Sequence, residues 1–508
     1  MKSMKINISF LLLVLTIISC SKFDEINSNP DSPETSSPSL LATNLILNIA
    51  RSSGAKGFIL PQLTSKQMAW GEMAQSEVYN SIGSVDFSGA RVLINAQKMV
   101  DLASESDKDA YTGLALFIKA YKFYYLTISV GDIPYTEALK GEEGLIKPKY
   151  DTQKDVMINI LNDLALSSTH FAKAKNFAGD PLLNGNVDKW RRIVNSFRLK
   201  VLISLSKKET DSDLNIKDKF ANIIQNEPIL ESNNDNFQLV YSNRANQLYP
   251  WNTVTNKFVI YPMISTTIID TLQKYNDYRL FYYAAPSEYQ LANGKLPSDP
   301  TAYLGVDPSI VFSDLTKLFT DKKYSKLNSR YSDYEPGEPI MKIGYPEQNF
   351  IIAEAIVRGW VAGNAKEYYE KGITAAMTFI ANATPDDNKY HSGKKITESY
   401  IRDIYLKDNN VLFSSNSTNQ LQQIWMQKYL LYFLQHDYES YYEYRRTGYP
   451  LLPINPQSSI NIDDKTIIPK RYTYGNTEYS YNLDNLKEAL QRQFNGDDKS
   501  NGIMWILK

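Results

Sequence analysis

Residues 345–372 read YPEQNFIIAEAIVRGWVAGNAKEYYEKG, and they hold two helices that must touch. Phe350, Ala353, Val357 and Trp360 recur three or four positions apart, which is one face of a helix. Ala353-Glu354-Ala355, Gly359, Gly363-Asn364-Ala365, Tyr368 and Gly372 put small residues where a second helix needs to come close. Glu354 is the odd member of this apolar run. A carboxylate buried there needs a cation, and Arg358, Arg445 and Arg446 are the candidates.

The spacing of that segment is similar to a tetratricopeptide helix pair. Outward from it the same period returns. Leu114, Phe117, Tyr121, Tyr124 and Ile128 share one helical face, as do Trp190, Val194, Phe197, Val201 and Leu205. Further helices are expected near 39–53, 61–80, 87–105, 151–174, 364–382 and 419–445. Strand-like alternation is scarce. The expected fold is all-α, with tetratricopeptide-like helix pairs as a scaffold. Two regions break the pattern. The first, 228–345, carries Pro250, Pro262, Pro286, Pro297, Pro300, Pro308, Pro336 and Pro339; the second is 448–481. They read as long loop-rich insertions laid on the scaffold, where binding surfaces usually sit.

The N-terminus has its own logic. Lys2 and Lys5 precede the apolar run Ile6–Ile18, and Ser19-Cys20 closes it. Thirteen helical residues reach only about 20 Å, too short for a bilayer core. Residues 1–20 therefore read as a cleaved export signal of lipoprotein type, with Cys20 as the lipidation site. The segment 21–38, rich in Ser, Pro and Asp, reads as a flexible tether. Residues 39–508 read as a single domain.

Composition narrows the function. Of the 508 residues, 55 are Lys or Arg and 56 are Asp or Glu, so there is no basic excess for nucleic acid. Cys20 is the one cysteine, which leaves no disulfide. Tyrosine stands out at 36 residues, clustered at 121/124/125, 278/282/283, 438/441/442/444 and 472/474/479/481. A tyrosine offers a flat apolar face and a hydroxyl, which suits either a sugar- or peptide-binding surface or helix packing. Sugar recognition wants an aromatic platform beside amides. Trp251 with Tyr249 and Asn252 in a Pro-broken loop fits best, then Trp70 with Tyr79 and Asn80, then Tyr283 and Tyr303. Trp190, Trp360 and Trp425 lie within helical periodicity and read as core.

Catalytic signatures are missing. His170, His391 and His436 stand in unrelated contexts, and no HExxH or paired Cys/His spacing offers zinc a site. The acidic turns at 386–388 and 495–498 lack the ligand alternation of a calcium loop. No phosphate or dinucleotide fingerprint is present, so no cofactor or metal is expected. A surface glycoside hydrolase would need two carboxylates across a cleft, and none sits in a recognisable catalytic motif. The chain reads as non-enzymatic.

Several blocks in order resemble the SusD/RagB family, and in particular its SusD-like subgroup. They are Cys20 followed by Phe23-Asp24-Glu25-Ile26-Asn27 and Asn29-Pro30; Lys119-Ala120-Tyr121 with Gly131-Asp132-Ile133-Pro134-Tyr135; Trp190-Arg191-Arg192 with Asn195-Ser196-Phe197-Arg198-Leu199; Tyr345-Pro346-Glu347 with Phe350-Ile351-Ile352-Ala353-Glu354-Ala355; and Ile424-Trp425-Met426-Gln427-Lys428-Tyr429 leading to Tyr444-Arg445-Arg446-Thr447-Gly448-Tyr449-Pro450. The resemblance implies an outer-membrane nutrient-binding lipoprotein, facing the cell exterior. It implies a partner too, a SusC-like TonB-dependent β-barrel transporter over which the lipoprotein closes as a lid. The implied ligand is a glycan, with an oligopeptide as the alternative.

Overall fold

The computed structural model describes residues 36–254 and 256–508. Cys20 and residues 21–35 of the expected tether lie outside the described residues. Helices of nine residues or more are α1 (Pro38–Ala50), α2 (Lys56–Thr64), α3 (Leu93–Asp101), α4 (Lys108–Val130), α5 (Gln153–Lys173), α6 (Val187–Ser204), α7 (Ile216–Asn226), α8 (Thr266–Lys274), α9 (Phe312–Thr320), α10 (Tyr345–Val357), α11 (Ala365–Ala383), α12 (Ser417–Leu431), α13 (Glu439–Thr447) and α14 (Leu483–Phe494). Six short strands accompany them: β1 (Met68–Trp70), β2 (Ser84–Val85), β3 (Phe237–Leu239), β4 (Pro262–Ile264), β5 (Ile340–Ile343) and β6 (Thr473–Tyr474). They make three two-stranded pairs: β1 with β4 and β3 with β5 antiparallel, β2 with β6 parallel.

Helix starts follow the capping residues. Ser37, Thr152, Asn186, Asn364 and Asn416 each accept a backbone N–H of the first turn, for α1, α5, α6, α11 and α12 respectively. Ser37 and Pro38 thus belong to the domain rather than to the tether. At the end of α4, Gly131 takes φ +108, and a Cβ there would lie 2.1 Å from Gln493 Oε1. Only glycine fits that stop.

The helices pack as sequential pairs: α4 on α5, α5 on α6, and α10 on α11. Gly372 is what brings α11 against α10, since a Cβ there would meet Phe350 Cε1 at 2.6 Å. Two main apolar clusters result, and α10 serves both. Ile351, Ile352 and Ala355 face the first, formed around α1 and α3–α7. Phe350 and Ala353 face the second, formed around α2, α8 and α11–α13. Residues 346–355 of α10 are buried without a break, polar side chains included. The segment 345–372 is therefore the wall shared by the two halves of the core.

Three expectations need correction. The helix placed at 61–80 stops at Thr64: Lys66 turns through φ +59, and residues 68–70 become β1 against β4. The helix placed at 419–445 is two, α12 and α13. Between them Leu434, His436 and Asp437 all adopt left-handed φ of +57, +56 and +46. Lastly, the region 228–345 is less loop-like than its prolines suggest, because it contains α8, α9 and the short helices Arg279–Tyr283 and Glu288–Ala292.

Candidate functional site

The sequence-selected aromatic platforms turn out to be core. Trp251 and Tyr249 are fully buried, and Asn252, Trp70, Tyr79, Tyr283 and Tyr303 are each at most 4 % exposed. Trp70 packs edge-on against Trp251, with centroids 6.5 Å apart. Tyr249 meets Phe58 edge-on at 5.5 Å and lies against Tyr331. Asn252 donates to the Tyr249 carbonyl at 2.5 Å. Tyr283 stacks on Phe433 at 4.4 Å and donates to Leu430 O. Tyr303 donates to Pro297 O, and the Tyr79 carbonyl accepts the Ile460 N–H. The Pro-broken loop folds down over the second core, so none of these rings offers a face to a ligand. Asn80, likewise buried, donates to Ser459.

Other tyrosines do line a concavity. A cleft of about 360 Å³ lies between α1, the loop at 85–90, α4 and the start of α13. Such a volume is within the range of small-molecule sites. Tyr121 and Tyr125 enter from α4, Tyr438 and Tyr442 from the turn into α13, and Phe87 from the loop. Spacing of i, i+4 on α4, and again between Tyr438 and Tyr442, puts each pair on one face. Tyr121 and Tyr125 are 4.8 Å apart edge-to-face, and Tyr125 lies 6.3 Å from Tyr442. Phe87, Tyr125, Tyr438 and Tyr442 are half-buried, leaving part of each ring to the cleft. Exposed Asn48, Arg51 and Asp86 stand around it with Lys122.

The turn before α13 aims this site. Asp437 accepts from Ser52 Oγ at 2.9 Å and pairs with buried Lys342, which also donates to Ser52 at 2.8 Å. That three-way lock ties the end of α1 to β5 and to the left-handed turn. Non-glycine residues at such φ cost about 1–3 kcal/mol each, and outliers of this kind concentrate at functional sites.

Beneath the cleft runs a buried charge array. Lys200 lies 3.1 Å from Glu347 and 3.0 Å from Glu439, while Tyr432 donates to Glu347 at 2.7 Å and His436 Nδ1 lies 3.5 Å away. Burial pushes the His436 ring down to about 4, against the pull of Glu347, so it is neutral at pH 7. Burial would raise the Glu347 carboxyl, but the Lys200 and His436 charges hold it down to about 2. Glu439 goes the other way: burial pushes it up, Lys200 restrains it, and the Glu347 charge adds to the rise. Burial raises the Tyr121, Tyr125, Tyr438 and Tyr442 phenols, so all four are protonated donors.

Glu354 finds the cations its position demanded. Arg446 binds it with two hydrogen bonds of 2.6 and 2.7 Å, Arg358 Nε adds one at 2.9 Å, and Trp425 Nε1 one at 3.0 Å. Burial opposes this charge, and the arginines overcome it, holding the carboxyl well below the usual range. Arg445 instead donates to the Lys470 and Ile128 carbonyls and lies over the Tyr441 and Tyr442 rings. Glu354, Arg358, Trp425, Arg445 and Arg446 are thus engaged in packing.

Tyrosines set around a cleft with a few charged groups can hold a polyhydroxylated ligand, rings against ring faces and hydroxyls against Arg51, Asp86 and Lys122. Asp437, one of the two cleft carboxylates, is committed to Lys342 and Ser52. Among the described residues no group of three or more His, Cys, Asp or Glu is set to hold a metal. No described helix is long and apolar enough to cross a membrane. Arg51, Asp86, Phe87 and Lys342 escaped sequence reasoning, because nothing local marks a residue that a distant strand brings to a cleft. The clusters 121/124/125 and 438/441/442 were the usable signal.

A family of starch-binding proteins associating with the outer membrane, the SusD-like family, matches residues 30–475. The chain belongs to it. Its fold is close to that of a SusD homologue from Bacteroides fragilis, 47 % identical, with TM-score 0.91 over 93 % of this chain and all of that one. A Bacteroides vulgatus outer-membrane protein assigned to nutrient binding is 31 % identical, with TM-score 0.82 over 93 % of this chain and all of that one. A chitin-binding SusD homologue from Flavobacterium johnsoniae, 19 % identical, shares the fold alone, with TM-score 0.69 over 93 % of this chain and 98 % of that one. No curated protein matches the chain. The matched residues cover the first insertion, most of the second and the helix pairs, so the cleft lies within the matched region. It also accounts for the helical scaffold that residues 345–372 dictate.

Proposed function

We propose that this SusD-like protein is a lipid-anchored, non-enzymatic nutrient-capture protein of the outer membrane. It holds an oligosaccharide in the tyrosine cleft and acts as a lid on a SusC-like TonB-dependent transporter. The observation that carries the ligand site is the convergence of Phe87, Tyr125, Tyr438 and Tyr442 on one cleft ringed by Asn48, Arg51, Asp86 and Lys122. The family's starch-binding description supports a glycan over a peptide. Cys20 supplies the anchor and the transporter supplies the route inward.

A glycan array run beside a mixed-peptide panel on the full-length protein in detergent tests the ligand. At least one glycan should bind, and Tyr438→Ala should weaken it about tenfold while leaving the melting temperature nearly unchanged. Binding of peptides alone would make the protein an oligopeptide binder. An unaltered glycan affinity in Tyr438→Ala would remove the cleft as the site. Cys20→Ala should leave the membrane fraction, and retained, acylated protein would refute the anchor. Affinity purification from native membranes should bring down a β-barrel, and its absence would refute the lid.

A further inference from the structure

A second concavity, sharing no lining residue with the tyrosine cleft, opens on the α8–α12 flank. It is an open groove of about 700 Å³. Tyr275, Phe413 and Tyr449 line it, each half-buried, together with the amides of Asn409, Asn419 and Gln422. Its charged lining is a single exposed lysine, Lys274, and it contains no carboxylate.

The groove is built rather than incidental. Gln423 accepts the Ser414 N–H at 2.9 Å and donates to Leu412 O at 2.9 Å, which fixes the loop before α12. Asn410 donates to Lys274 O at 3.0 Å and Asn276 to Asp408 at 2.7 Å, which fixes that loop to the end of α8. Phe413 is braced by Tyr369 at 4.7 Å, and Tyr449 lies 6.3 Å from Trp425. By contrast the side-chain amides of Asn409, Asn419 and Gln422 make no hydrogen bond among the described residues. Beyond the Asn276–Asp408 bond lies another hollow of about 360 Å³, where Tyr278 and Tyr400 stack at 3.8 Å beside Thr397 and Ser399.

Half-exposed aromatic rings, unspent amides and almost no charge match a ligand that is itself neutral, flat-faced and rich in hydroxyls. An anionic polymer would call for a row of cations, which is not there. We propose that this groove is a second saccharide site, taking a neutral oligosaccharide of several units, distinct from the tyrosine cleft. Two sites on one chain let a long polysaccharide be held at one while the other engages it, raising avidity without a stronger contact at either.

Hydrogen-exchange mass spectrometry on the full-length protein in detergent reads the two sites separately. The probes are maltohexaose, cellohexaose and chitohexaose. At least one should slow exchange in 409–423 and 274–278, and the double variant Asn419→Ala/Gln422→Ala should weaken that protection about tenfold. Protection in 85–90 and 436–442, which reports the cleft, should be the same in the variant and in the natural protein. No slowing at 409–423 with any of the three sugars would overturn the second site, whatever the cleft does. Groove protection of unchanged strength in the double variant would overturn it as well.

Discussion

Trp251 shows how far a residue can be judged from its neighbours in sequence. A tryptophan between a proline and an asparagine, in a Pro-broken region, has the surroundings of a binding platform. In the fold it is fully buried and packs against Trp70. The two outcomes differ in what truncation does. A platform residue could be cut back with little loss of stability. A core tryptophan leaves a cavity, which the surrounding rings fill only partly, at about 3–5 kcal/mol. Trp251→Ala should therefore lower the unfolding free energy by an amount of that order, with a matching fall in the denaturant midpoint, and Trp251→Phe much less, measured by equilibrium unfolding at pH 7. A midpoint unchanged in Trp251→Ala would return the residue to the surface. Glu354 was legible where Trp251 was not. A lone carboxylate on an apolar helix has one stable solution, a bidentate cation, and Arg446 and Arg358 are that solution. Tryptophan has no such single solution, since its ring suits a core and a binding face equally.

At the scale of elements, periodicity located helices and failed at turns. The α10–α11 pair was visible because both its apolar face and its small residues lie within 28 consecutive positions. The split between α12 and α13 was not, because Leu434, His436 and Asp437 hold left-handed conformations without a glycine to announce them. Their geometry is imposed from outside, by Lys342 of β5 and Ser52 after α1. The same dependence hid the cleft, whose lining comes from five separate stretches of the chain. The helix pair also yields a test. Gly372→Ala would normally stabilise a helix interior by about 1 kcal/mol. Here the new methyl would stand 2.6 Å from the ring of Phe350, itself fully buried and unable to swing aside. Overpacking of that kind costs about 1–3 kcal/mol, so close approach wins over propensity. Gly372→Ala should lower the melting temperature, and adding Phe350→Leu should recover part of the loss in calorimetry. A rise in melting temperature for Gly372→Ala alone would show that the pair is looser than described.

For the whole molecule, the buried array under the cleft sets how stability responds to acid. His436 is held at about 4 in the folded chain, against about 6.5 when unfolded, because burial disfavours its charged form. Between those values the unfolded chain binds the extra proton, so stability is fully present above pH 6.5 and drains away as pH falls toward 4. The separation corresponds to roughly 3 kcal/mol. Glu347, held at about 2, keeps its contribution over most of that interval and loses it only below the unfolded carboxylate value of about 4.3. Glu439 has the opposite sign: its raised carboxyl weakens the fold as pH rises through it, and so it partly offsets His436 near the acid end. The net expectation is a decline in unfolding free energy from pH 6.5 to pH 5, followed by a steeper loss below about 4, where the unfolded chain protonates the carboxyls of Glu347 and Glu354 while the fold still holds them ionised. His436→Gln cannot titrate, and it should flatten the first decline while leaving the second in place. Urea unfolding at pH 7, 6, 5 and 4 on both proteins separates the two limbs. Parallel curves for the natural chain and His436→Gln would mean that the histidine is not the group that couples the array to pH.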